Sequence, residues 1–100
     1  MHSDESLARL AARVGRQLLR QGRTVATAES CTGGWIAKAL TDIAGSSQWF
    51  TEGFVTYSNA AKMRHLAVRA AVLEDEGAVS EATARDMAAG ALRRSGAHLA

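Results

Sequence analysis

The stretch Ala26-Thr27-Ala28-Glu29-Ser30-Cys31-Thr32-Gly33-Gly34 constrains this chain most, because a short apolar run stops there at hydroxyls, a thiol and two glycines. Thr24 to Ala28 are small or β-branched and suit a strand, whereas Trp35 to Leu40 read as a helix. Ser30 is thereby predicted at a strand-to-helix turn. Such a turn directs side chains and free backbone N–H groups out of the sheet edge. The N-terminus of the following helix adds partial positive charge that suits an anion or a developing oxyanion. Ser, Thr and Gly before a helix are also ordinary turn and N-cap residues, so this stretch alone does not separate a nucleophile from a cap.

Around it the chain reads as alternating helices and strands. From Ser3, a plausible N-cap, a first helix places Leu7, Leu10, Ala11, Val14 and Leu18 on one face, and Gly22 follows its end. Arg9, Arg13, Arg16 and Arg20 fall on the opposite side. They are expected to be a solvated face, since no aromatic or groove-reading motif accompanies them, and nucleic-acid binding is not expected. Gly45-Ser46-Ser47 breaks the pattern, and Trp49 to Tyr57, rich in aromatic and β-branched residues, is predicted as a second strand. Ser58-Asn59 reads as a turn and N-cap for a short helix over Ala60 to Leu66, with Lys62 in its first turns. Glu74-Asp75-Glu76 is expected at a solvated surface, because three contiguous carboxylates cannot all face one ion from a helix. Ser80 is predicted to cap a last helix with Ala84, Met87, Ala88 and Ala91 on one face, Arg93 and Arg94 in its last turn, and Gly96 beyond it. A further strand is expected to begin near Ala97.

One hundred residues, 47% apolar and 22% charged, are a single α/β domain at most. A chain this size buries only about two-thirds of its unfolded surface. A formal charge of +2 does not by itself call for a polyanionic partner, and no apolar run approaches a membrane span. With one cysteine, Cys31, and no signal-peptide pattern at the N-terminus, a cytoplasmic protein is expected. Ten of the twelve basic residues are Arg, which leaves Lys38 and Lys62 as the side chains whose amine can lose its proton.

The pair AESCTGG (Ala28 to Gly34) and TYSNAAK (Thr56 to Lys62), in this order and spacing, resembles the C-terminal domain of the CinA family, the competence/damage-inducible proteins also known as nicotinamide-nucleotide amidohydrolases. Leu40 to Ser47 and Gly77 to Glu81 resemble the family as well, and the likeness runs from about Leu18 to Ala100. It implies an α/β layered sheet with packed helices. It also implies the N-terminal portion of a longer domain over 1–100, because family domains continue beyond the strand near Ala97 into a TGIAGP-like loop and further strands. The chain is then expected to be a fragment or a truncated form, and its uncovered sheet edge is expected to make it a homo-oligomer.

A serine hydroxyl is a poor nucleophile until a base takes its proton, and a neutral lysine can be that base. Ser30 and Lys62 are a candidate pair, since both fall just after predicted strands and neighbouring parallel strands would bring those ends together. Tyr57, at the end of the second strand, has a hydroxyl able to donate to the serine or to a substrate carbonyl. The resemblance implies a Ser-Lys amidohydrolase converting nicotinamide mononucleotide to nicotinic acid mononucleotide and ammonia. On the matching positions Ser30 is then the nucleophile, Lys62 the base and Tyr57 a supporting hydroxyl. Donors at Cys31, Thr32, Gly33 and Gly34 would serve either the oxyanion or the nucleotide phosphate. The competing arrangement makes Cys31 the nucleophile with a distant histidine such as His65. The competing function is a non-catalytic fragment acting through oligomerisation or a partner. His2, His65 and His98 lack metal-ligand spacing, and neither metal nor cofactor is expected.

Overall fold

The computed structural model describes residues 4–100; the expected Ser3 cap and His2 lie outside the described residues. Helix α1 (Asp4–Gln21) carries Asp4 and Glu5 in its first turn and Arg20 in its last, each matched to the helix dipole. It buries Ala11, Gly15 and Leu18, while Leu10, expected on the inner face, is 44% exposed. Strands β1 (Val25–Glu29) and β2 (Phe50–Val55) pair in parallel, with Thr27 opposite Gly53, Ala28 opposite Phe54 and Glu29 opposite Val55. Between them run α2 (Trp35–Thr41) and a 3₁₀ turn at Ser46–Gln48.

The second strand is shorter than expected at both ends. Trp49 closes the 3₁₀ turn by donating its N–H to Ser46 O and buries its ring, so only its carbonyl, which accepts from Val25 N–H at 2.9 Å, joins the ladder. At the far end Thr56 N–H makes a last bond to Glu29 O before the chain turns into α3 (Asn59–Leu66). Ser58 caps α3 as predicted, its hydroxyl accepting from Ala61 N–H at 3.0 Å. The segment after Val68 forms α4 (Ala70–Glu76), with Glu74, Asp75 and Glu76 exposed. Ser80 caps α5 (Glu81–Ser95), and Gly96, at φ +71, closes it. On the other side of β1, Leu99 bridges Val25 in parallel, and His98 Nδ1 accepts from Thr24 N–H at 3.0 Å. The strand expected near Ala97 is thus, among the described residues, a single rung.

Leu66, Val68, Met87 and Ala91 form the core, with Ala28, Phe54 and Leu73 packed against it. The inner face of α5 is Thr83, Met87, Gly90 and Ala91, and Ala84 points to solvent. The apolar reading missed by one residue because Thr83 can be buried: its hydroxyl donates to Gly77 O at 2.7 Å. Two glycines mark close crossings. A Cβ at Gly15 would lie 2.5 Å from the Trp49 ring, and one at Gly90 would lie 2.0 Å from the Leu66 carbonyl oxygen.

Backbone cannot yield as a flexible side chain does, so Gly90→Ala must push α3 and α5 apart. The expected cost is about 3 kcal/mol, read as a lower denaturation midpoint at unchanged slope. A loss below about 1 kcal/mol, within ordinary surface-mutation scatter, would contradict this packing.

Candidate active site

The parallel register brings the ends of β1 and β2 side by side at Glu29 and Val55. From these ends the chain continues into Ser30 on one side and into Thr56, Tyr57 and the Ser58 cap on the other. Lys62 lies one turn into α3, its N–H bonded to Ser58 O, and is 1% exposed. Its Nζ donates to Ser30 Oγ at 2.9 Å and to Tyr57 O at 2.8 Å. Ser30 Oγ also lies 3.3 Å from Tyr57 O, to which it donates. Lys62 joins none of the ion pairs formed among the described residues, whereas the other lysine, Lys38, is exposed and paired with Asp42. The structure therefore brings Ser30 and Lys62 together and leaves Lys38 at the surface.

Tyr57 contacts the pair through a different atom from the one expected. Thr56 is buried, so the next residue of the extended chain points the other way, and the Tyr57 side chain is 74% exposed. Its carbonyl, not its hydroxyl, reaches Ser30 and Lys62.

Glu29, which the sequence reading passed over, organises the turn. The residue is 3% exposed, and its carboxylate accepts from Thr32 Oγ1 at 2.7 Å, Ile36 N–H at 2.8 Å and Ala37 N–H at 3.0 Å. Burial pushes this carboxyl up, but the donors at Ala37, Ile36, Thr32 and Gly34 together outweigh it and hold Glu29 below the usual carboxylate value. The positive end of α2, expected to suit a bound anion, is therefore already occupied by the protein's own carboxylate. A signal existed: an acid shortly before a helix whose N-cap position is glycine and supplies no side-chain cap.

Of the four turn donors, Gly33 N–H is bonded to Ser30 O at 3.0 Å, and Gly34 N–H acts on Glu29. The amides of Cys31 and Thr32 have no acceptor among the described residues. Cys31 is exposed and free, and His65, also exposed, bonds Arg64. No hydrogen bond among the described residues joins that thiol to a histidine. Nor do the described residues contain a group of three or more His, Cys, Asp or Glu placed to hold a metal ion, and no helix among them is long and apolar enough to cross a membrane.

The fold defines a CinA-superfamily α/β domain. A CinA superfamily protein from Escherichia coli superposes with a TM-score of 0.91 at 36% identity, over 97% of this chain and 56% of that one. The competence/damage-inducible protein CihA from Agrobacterium tumefaciens does so with a TM-score of 0.89 at 50% identity, over 97% and 58%. The chain belongs to the CinA C-terminal domain family, whose pattern matches residues 7–100. The nicotinamide-nucleotide amidohydrolase PncC of Escherichia coli K12 is 56% identical over 91 residues, which are 91% of this chain and 55% of that protein. A CinA-like protein from Chlorobium phaeobacteroides is 57% identical over 98 residues, 98% of this chain and 23% of its own length. The chain thus spans about half the length of the amidohydrolases it matches.

Because the Glu29 carboxyl is lower in the folded protein than in the unfolded chain, its contribution is complete above the unfolded value of about 4.3. It is lost as pH falls through the lower folded value. Asp86, lowered by hydrogen bonds from the Arg69 side chain and N–H, acts in the same sense. Glu29→Gln is expected to flatten, without abolishing, the fall in denaturation midpoint between about pH 5 and pH 3. An unchanged slope would show that the Glu29 carboxylate is not held as described.

Proposed function

We propose that this chain carries the serine–lysine centre of a nicotinamide-nucleotide amidohydrolase, acting on the carboxamide of nicotinamide mononucleotide. The observation that carries the proposal is the buried Lys62 Nζ, 2.9 Å from Ser30 Oγ and tethered to Tyr57 O. Similarity to proteins named nicotinamide-nucleotide amidohydrolase supports the substrate.

In this mechanism Lys62 must enter as the neutral amine. One N–H stays on Tyr57 O while the nitrogen lone pair takes the Ser30 proton, so the tether holds Nζ in place through the transfer. Ser30 Oγ attacks the carboxamide carbon, and the carbonyl oxygen becomes an oxyanion facing the free amides of Cys31 and Thr32. Collapse breaks the C–N bond, with Lys62 returning its proton to the departing ammonia, and leaves an ester on Ser30. Water, deprotonated by Lys62, then attacks the ester to release the carboxylate and restore the serine hydroxyl. With the α2 terminus filled by Glu29, the Cys31 and Thr32 amides are assigned to the oxyanion rather than the phosphate.

A second reading has its own observation. Leu7, Leu10, Val14, Trp35, Ile36 and Leu40 line an open apolar groove of about 500 Å³ beside β1, and Trp35 is 61% exposed. A patch of this kind favours association, either as a homo-oligomer or with a partner.

Ser30→Ala and Lys62→Ala are each expected to abolish ammonia release, with the double variant little worse, because nucleophile and base act as a unit. Lys62→Arg fails too, since guanidinium keeps its proton. Tyr57→Phe retains the carbonyl that holds Lys62. Its loss is confined to what the hydroxyl gives the substrate, at most on the order of 10²-fold. Near-normal turnover in Ser30→Ala would end the serine–lysine proposal. A wild-type chain that releases no ammonia yet scatters light as a stable oligomer would favour the second reading.

A further inference from the structure

We infer that Glu29 is a positioning residue of this site, fixing the Ser30–Gly34 turn so that Ser30 Oγ faces Lys62 Nζ and the Cys31 and Thr32 amides stay free for the substrate's carbonyl oxygen. Its role rests on the proposed serine–lysine function and adds a residue that touches neither substrate nor reacting atoms. Glu29 is the last residue of β1, fixed by its rung with Val55 and by Thr56 N–H on its own carbonyl. Its carboxylate reaches forward over the turn: Oε1 takes Thr32 Oγ1–H and Ile36 N–H, and Oε2 takes Ala37 N–H. One side chain thus ties the end of the strand, the middle of the turn and the start of α2 to one another.

An ordinary N-cap is a local matter, made by the residue just before the helix. Here that residue is Gly34, at φ +103 with no side chain to offer, and the cap comes from seven and eight residues upstream of the amides it satisfies. Capping α2 and shaping the turn are therefore done by the same carboxylate. Without it the Ile36 and Ala37 amides would become free anion donors, competing with the Cys31 and Thr32 amides for the substrate oxygen. Ser30, anchored between Glu29 and Cys31, would lose the constraint on its approach to Lys62. Placement at this level matters, because a displacement of about 1 Å at a reacting group costs on the order of 10²-fold in rate.

The test compares the full chain with Glu29→Gln, Thr32→Val, which cuts only the tie to the turn, and Ser80→Ala, which removes the side-chain cap of α5. Three quantities are read: thermal midpoint, the amide resonances of Cys31 and Thr32, and the rate at which a fluorophosphonate phosphonylates Ser30 with loss of fluoride, followed by intact mass. Turnover of nicotinamide mononucleotide is measured alongside. Glu29→Gln is expected to shift both amides and to slow phosphonylation and kcat by about 10²-fold, with KM changed by less than about threefold. Ser80→Ala should lose thermal stability with both amides and the phosphonylation rate unchanged. If Glu29→Gln does not fold, Thr32→Val decides, with the Cys31 amide displaced and phosphonylation slowed by about tenfold. A variant at either position that is less stable but keeps the wild-type Cys31 amide shift and phosphonylation rate would reduce Glu29 to a helix cap and overturn the inference. If the wild-type chain releases no ammonia, the amidohydrolase proposal fails, while the amide resonances still decide the role of Glu29.

Discussion

The parallel pairing of β1 and β2 is the constraint on which the site depends. In a parallel pair both strands deliver their C-terminal ends to the same edge. Ser30 and Lys62, separated by 32 positions, meet there only because Glu29 stands opposite Val55. Because side chains alternate faces along a strand, a register slip of one residue would reverse the faces near the strand ends and direct Tyr57 inward in place of Thr56. The β1–β2 register is in turn held by α5, which packs on both strands, and by the Leu66, Val68, Met87 and Ala91 core beneath α3 and α5. The Gly90 crossing thus belongs to the same structure as the Lys62 amine, since it sets how closely α3 sits on α5.

Two buried ionisable groups lie at that edge, and the protein treats them in opposite ways. Glu29 is surrounded by donors that stabilise its charge, at the end of a helix whose dipole does the same. Lys62 has only a hydroxyl oxygen and a backbone carbonyl, both neutral, and no carboxylate partner among the described residues. A fully supported carboxylate suits a fixed structural part. A lysine held by neutral acceptors suits a group whose proton must move.

Much of this was legible in the sequence, for physical reasons that also account for the remainder. Period and capping chemistry gave α1, α3 and α5 with their Gly22, Ser58, Ser80 and Gly96 signals, since these are local features. Ser30 and Lys62 were legible as a candidate pair, because both follow strands whose parallel pairing would align their ends and because the family resemblance marks the same two positions. Three points were missed. The Tyr57 carbonyl, and not its hydroxyl, contacts Ser30 and Lys62, because which way a residue faces beyond a strand end depends on the last rung, at Thr56. Glu29 looked like one more charged strand residue because its partners lie across a turn. Ala84 lost its place on the inner face to Thr83, whose burial depends on the Gly77 carbonyl.

The central claim is that Lys62, tethered to Tyr57 O, makes Ser30 a nucleophile toward a carboxamide carbon. The most direct test is to quench the chain with acid during turnover of nicotinamide mononucleotide and map the acyl adduct by peptide mass. The account predicts an ester on the peptide carrying Ser30, located at Ser30 by fragmentation and absent from Lys62→Ala. Turnover with the adduct on Cys31, or with the adduct persisting in Lys62→Ala at the wild-type rate, would contradict it.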